Sequence, residues 1–274
     1  MTATDIVATV VEVLSAQPTV AGIALGGSRA AGRADDASDH DIEVFTDGEV
    51  PLDARRELAL RFDPAPEIGN DWFGAADEWV DPASGTAIDI AYFDRAWFES
   101  AIRDVIEHHR PSLGYTTAFW HTLRHATPAF DRAGWLATMR EMATTPYPDA
   151  LRRNIVAWNH AVLRGARSSY RHQIDLSLRR DDPVSVNHRV AALLASVFDI
   201  IFALHRTLHP GEKRLLDHLS ALDEDALAAR IRALLRAAGD SDGSDVLGAV
   251  DAVCDRIDAT IRTAGLWGAT RNGA

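Results

Sequence analysis

Cysteine is nearly missing: Cys254 is the only one in 274 residues. One thiol excludes an intrachain disulfide and fits a reducing compartment. Lysine occurs once, as Lys213, and arginine supplies nearly all of the positive charge. No window reaches the roughly 18 consecutive apolar residues of a membrane span. The first residues lack the basic start and apolar run of a signal peptide. The expectation is therefore a cytoplasmic chain with no membrane partner. Positive charge is also short. Against 40 Asp and Glu stand 28 Lys and Arg, a formal net charge of −12. Such a chain repels polyanions unless a basic patch offsets it, so nucleic acid is not an expected partner. A cationic or neutral small molecule is easier to accommodate. Internal repeats and low-complexity tracts are absent.

What remains is an ordinary globular composition, 47% hydrophobic and 25% charged. It is long enough for two core-bearing domains. Residues 4–17 predict a helix whose apolar stripe is Ile6, Val7, Val10, Val11, Val13 and Leu14, ended by Pro18. Residues 20–25 form a short apolar run that reads as a buried strand. A short helix over 30–34 and a loop over 35–38 follow. Residues 41–45 alternate acid and apolar side chains, the period of a strand with one wet face. A helix is expected over 52–62, then strands at 72–73, 78–80 and 86–93 (TAIDIAYF). After Asp94 the pattern turns helical: 95–106, 111–125, 133–142, 149–179, 184–209, 212–219, 224–238 and 243–264. Pro128, Pro146, Pro148, Pro183 and Pro210 punctuate these segments. The fold class expected is α+β. A mixed sheet with helices on one face occupies residues 1–95, and an all-α bundle occupies 96–274.

Chemistry gathers in residues 22–45, GIALGGSRAAGRADDASDHDIEVF. Asp39 and Asp41 lie two apart, so on a strand they share a face. Paired carboxylates repel unless a cation sits between them, and they suit Mg²⁺ shared with phosphate oxygens. A third acid, Asp89, lies between Ile88 and Ile90, where burial without a partner is costly. If its strand neighbours the first, three acids converge on one cation site. Two metals there would clamp the attacking and leaving oxygens of a phosphoryl transfer. Upstream, Gly26, Gly27 and Ser28 make a turn whose backbone N–H groups can approach a phosphate before a helix N-terminus. Arg29 or Arg33 could add charge. A phosphate cradle beside paired acids points to a nucleoside triphosphate. Either motif alone is a weak signal, since Gly-Gly turns and Asp-x-Asp edges are common.

The run from Gly26 to Phe45, with its later strand acid, resembles the signature of the DNA-polymerase-beta-like nucleotidyltransferase superfamily. Its Gly-Ser-Arg-Ala-x-Gly and Ser-Asp-x-Asp details are similar to minimal and antibiotic nucleotidyltransferases. The resemblance implies that Gly27 and Ser28 hold the triphosphate, that Asp39 and Asp41 bind two Mg²⁺ ions, and that Asp89 completes one metal site. It also offers Asp89 as the base that activates an acceptor hydroxyl. His40 stands where the family often has an apolar residue. The helical half resembles, at the level of architecture, the C-terminal bundles of aminoglycoside and lincosamide nucleotidyltransferases. Within it, the run His209 to Arg214 (HPGEKR) reads as a turn opening a helix, with Lys213 in reach of nucleotide phosphates; the bland alternative leaves that lysine in solvent. The function implied is metal-dependent transfer of a nucleoside monophosphate from ATP or another triphosphate to a hydroxyl of a small molecule. Protein modification and a silent nucleotide-binding module are the alternatives.

Other residues carry less. His121 and His125, and His205 and His209, have the i, i+4 spacing of zinc pairs but no supporting ligands. Trp72, Trp79, Trp120 and Trp158 read as core or lining residues. Asp71, Asp77 and Glu78 read as solvated loop acids or contacts for a cationic acceptor, with Glu107, Glu141 and Asp175 as more distant candidates.

Overall fold

The computed structural model describes residues 3–27, 39–239 and 245–268. The chain divides into two compact units, residues 1–103 with 122–145, and residues 104–121 with 146–274.

The first unit opens with α1 (Ala3–Ser15), followed by β1 (Val20–Leu25), β2 (His40–Thr46) and α2 (Leu52–Ala59). Next come β3 (Glu67–Asn70), β4 (Ala76–Asp81), β5 (Thr86–Asp94) and α3 (Arg95–Ile106). Then follow α4 (Ala118–His125), whose residues up to His121 count with the second unit, β6 (Thr127–Asp131) and α5 (Trp135–Ala143). The strands form one six-stranded sheet in the order β3-β4-β5-β2-β1-β6. Only β2 and β5 pair in parallel; the other pairs are antiparallel.

Alternation along the central strands gives the sheet two unlike faces. On one, Ile42 and Val44 of β2 and Ile88 and Ile90 of β5 meet Ile6, Val10 and Leu14 of α1 and Leu58 of α2 in a buried core. A buried ion pair sits on this side. Arg55 of α2 donates to both carboxylate oxygens of Asp77 at 2.8 and 2.6 Å, and Gly69 N and Tyr92 Oη donate to the same carboxylate, each at 2.8 Å. Asp77 is thus a structural counter-ion in the sheet, neither a solvated loop acid nor an acceptor contact. The other face carries Asp41, Glu43 and Phe45 on β2. Its far end is aromatic: Phe45 packs against Phe98 of α3 at 4.8 Å and Trp135 of α5 at 5.1 Å.

Several sequence expectations shift. The stretch 72–73 is no strand. Trp72 and Phe73 are exposed in the β3–β4 connection, where Gly74 has φ 128. The segment after Asp94 is not all helical, because β6 returns to the sheet beside β1. The helix expected over 111–125 starts only at Ala118. Gly114 and Tyr115 have φ 84 and 56, and Asp199 holds the Thr116 amide at 3.0 Å. The elements expected over 30–38 lie outside the described residues.

The second unit holds α6 (Asp149–His160), a π-helical turn (Ala161–Gly165), α7 (Tyr170–Arg179), α8 (Pro183–Leu204), α9 (Leu215–Ala221), α10 (Asp225–Gly239) and α11 (Val246–Thr263). The helix expected over 149–179 is therefore broken. The π turn ends at Gly165, and Ser169 restarts the helix by capping the His172 amide. By length and composition α8 could cross a bilayer, but 67% of its most apolar window is buried inside the unit. Its Val190, Leu193, Val197 and Ile201 pack with Leu227 and Ile231 of α10 and Val250, Val253 and Ile257 of α11.

Candidate functional site

The parallel pairing of β2 and β5 places Asp41 opposite Asp89, Glu43 opposite Ala91 and Phe45 opposite Phe93. Two carboxylates thus meet across adjacent central strands on one face. The row continues outward: Asp89 pairs with Glu78 on β4, and Glu78 pairs with Glu67 on β3. Asp41 and Asp89 are half-buried, and Glu78 and Glu67 are exposed. Four carboxylates on four strands therefore run from the middle of the sheet to its edge.

Glu43 is a member of this face that the sequence reading passed over. Its side chain is 9% exposed, and its Oε2 is buried with no hydrogen-bond partner among the described residues. Burial, then the neighbouring charge of Asp41, pushes its pKa up to about 8. The signal was present: residues 39, 41 and 43 share strand parity, and Asp41-Ile42-Glu43-Val44 alternates more cleanly than Asp39-His40-Asp41.

The glycine turn lies directly on these acids. Gly26 N donates to Asp41 O at 2.9 Å. A Cβ on Gly26 would stand 2.7 Å from Glu43 Oε1, and one on Gly27 would run into the Asp41 carboxylate. Gly27 also has φ 69, a conformation that side chains resist. Only glycine lets the end of β1 come this close to β2. Ser28 and Arg29, expected beside the triphosphate, lie outside the described residues, as does Arg33.

Asp39 is exposed and stands just before β2. With Asp89, Glu78, Glu67 and Asp63 it lines an open depression of about 280 Å³, which Val80 and Ala87 also line. Among the described residues, no basic side chain lines it. Lys213 belongs to the second unit and lies exposed in the turn before α9, not in the first turn of a helix as expected.

Asp41, Glu43 and Asp89 offer only carboxylate oxygens, the donor set of a hard divalent cation such as Mg²⁺. The orphaned Glu43 oxygen beside Asp41 fits the same assignment, because a cation would offset the cost of burying neighbouring carboxylates. The side chains share a face without forming a closed cage. Among the described residues, no three His, Cys, Asp or Glu side chains are gathered as a metal-binding group.

Residues 7–112 match the family described as nucleotidyltransferase domain. That span contains the glycine turn and every acid of the face. No curated protein matches the chain. Among solved structures, a nucleotidyltransferase-like protein from Exiguobacterium sibiricum 255-15 aligns with 93% of this chain and 73% of its own. The identity is 12% and the TM-score 0.45.

Proposed function

We propose that this chain, a nucleotidyltransferase through the domain at residues 7–112, moves a nucleoside monophosphate from a triphosphate to a hydroxyl of an aminated small molecule. The observation that carries the reading is the direct pairing of Asp41 with Asp89 beneath a glycine turn that touches the Asp41 and Glu43 side chains. In this reading Asp41, Glu43 and Asp89 hold Mg²⁺, and Asp39 stands at the rim facing the acceptor. Bound there, the cation would neutralise phosphate charge and polarise the reacting oxygens.

The protein's own groups do the rest. The backbone of Gly26 and Gly27, with Ser28 and Arg29, receives the triphosphate. The acceptor oxygen attacks the α-phosphorus, the bond to the bridging oxygen of the β-phosphate breaks, and pyrophosphate leaves. Asp89 takes the proton of the attacking hydroxyl. Positioning and charge stabilisation supply the rate, with no covalent enzyme intermediate. The acidic row supports a cationic acceptor. Glu78, Glu67 and Asp63 can hold ammonium groups while a hydroxyl reaches Asp89.

The test incubates the protein with Mg²⁺, each labelled nucleoside triphosphate and a panel of aminated, neutral and anionic hydroxyl compounds, together with candidate proteins. Transfer of label to an aminated small molecule, with stoichiometric pyrophosphate, is the expected result. Label on protein alone would replace the acceptor assignment. Tight triphosphate binding without pyrophosphate would leave a silent binding module.

A further inference from the structure

The tip of the β3–β4 hairpin carries two large aromatic side chains that the fold does not use. Trp72 is 77% and Phe73 105% exposed. Adjacent aromatics held in water mark contact surfaces, because they offer large apolar area at one point.

The flanks of the tip are tied to the sheet. On the incoming strand, Gly69 N donates to Asp77 Oδ1 at 2.8 Å. On the outgoing side, Tyr92 N donates to Ala75 O at 2.8 Å. Gly74, between the aromatics and Ala75, has φ 128, a conformation that side chains resist. A Cβ on it would meet nothing within 4 Å among the described residues. The hairpin thus presents Trp72 and Phe73 outward from an anchored base.

Charge around the tip has one sign. Residues 62–94 include eight Asp and Glu and no Lys, Arg or His. Arg55 neutralises Asp77. Asp71, next to Trp72, and Glu67 and Glu78 on the two hairpin strands are exposed.

These features select the occupant. An anionic lipid surface or a nucleic acid would be repelled. A second copy would bring the same acids face to face. Its pairing along the edge strand β3 is disfavoured by the irregular register at Gly69, where φ is 75. Two aromatic side chains bury roughly 300–500 Å². A standard interface buries about 800 Å² on each partner. The tip is therefore too small for a flat face and suits insertion as an anchor, with complementary charge around it.

We propose that residues 71–74 dock into an apolar pocket, rimmed by Lys and Arg side chains, on a different protein. Docking of this kind is independent of nucleotidyl transfer.

The test places a photoreactive benzophenone side chain at position 73 of the full chain, cross-links it in the host cell and purifies the protein it marks. The same side chain at exposed Val184 is the control. Calorimetry then measures the affinity of the marked protein for the parent and its variants. Trp72→Ser and Phe73→Ser should each weaken binding at least tenfold, and Asp71→Lys about tenfold. Binding to the parent should weaken several-fold between 50 and 500 mM salt. Melting temperature and pyrophosphate release of the three variants should match the parent. Marking no greater than at position 184, or marking only of lipid or of a second copy of the chain, overturns the proposal. So does an affinity that the serine variants leave unchanged, or that Asp71→Lys or added salt raises. Loss of pyrophosphate release at an unchanged melting temperature would place the tip in the transfer site and overturn it as well.

Discussion

Glu43 and Asp39 compete for one role, and their surroundings differ sharply. Glu43 is buried against Asp41 and Gly26, whereas Asp39 is exposed at the rim of the acidic depression. Glu43→Gln should therefore lower pyrophosphate release a hundredfold or more, as should Asp41→Asn. Asp39→Asn should cost less than tenfold and act mainly on acceptor KM. Steady-state kinetics on the three variants decide it; equal losses at Asp39 and Asp41 with a mild effect at Glu43 would reinstate the Asp39–Asp41 pair. Much of this face could be read from the sequence. Asp41, Asp89 and the glycines stand out by type and spacing. Glu43 was hidden because strand alternation fixes which acids share a face but not which one is buried. That depends on how closely Gly26 approaches, a contact made between strands.

At the scale of elements, α2 is tied to the sheet by a buried ion pair as well as by its apolar face. Arg55 and Asp77 are 6% and 1% exposed, with the carboxylate also held by Gly69 and Tyr92. Asp77→Ala leaves an arginine buried without its counter-ion and should cost about 3–5 kcal/mol in urea denaturation. Exposed Asp71→Ala should be neutral. Sequence reading could not separate these two acids, six residues apart, since the separation depends on the pairing of Asp77 opposite Ile90. β6 was missed for a related reason. Thr127-Pro128-Ala129-Phe130-Asp131 is short, proline-bearing and largely exposed, and only its place at the sheet edge beside β1 makes it a strand. Conversely, Trp72-Phe73 has strand-like composition but lies between Asp71 and Gly74 with no partner strand.

The buried acid of α8 gives the second unit a pH signature. Burial raises Asp199 from its ordinary 3.8 to about 7, against the hydrogen bonds from Thr116 and Asn159. Between those values the folded chain keeps a proton that the unfolded chain has released. The stability this group contributes is full below about 3.8 and is lost as pH rises through 7. Over that range the loss is on the order of 4 kcal/mol. Asp199→Asn should remove this component, so the difference in unfolding free energy between variant and parent should grow from pH 4 to pH 8. A difference independent of pH would show that Asp199 is ionised throughout.

For the whole molecule, the net charge of −12 and the carboxylates that line the depression underlie the proposal of a cationic acceptor. KM for a cationic acceptor should rise several-fold between 50 and 500 mM salt, while KM for a neutral acceptor should hardly move, because screening acts on the attraction alone. An acceptor KM that falls with salt would contradict the assignment. The division into a sheet-bearing part and a helical part was legible from the change of periodicity after Asp94. The return of residues 122–145 to the first unit was not. It depends on β6 joining β1, a contact between residues about a hundred positions apart in the chain.

The central claim is that Asp41, Glu43 and Asp89 form one cation site serving nucleotidyl transfer. The most direct measurement is pyrophosphate release as a function of Mg²⁺ concentration, in the parent and in Asp89→Asn, with folding checked by melting temperature. The expected result is saturable dependence on Mg²⁺ in the parent and a loss of at least a hundredfold in the folded variant. Release that is independent of Mg²⁺, or equal in parent and variant, would contradict the account.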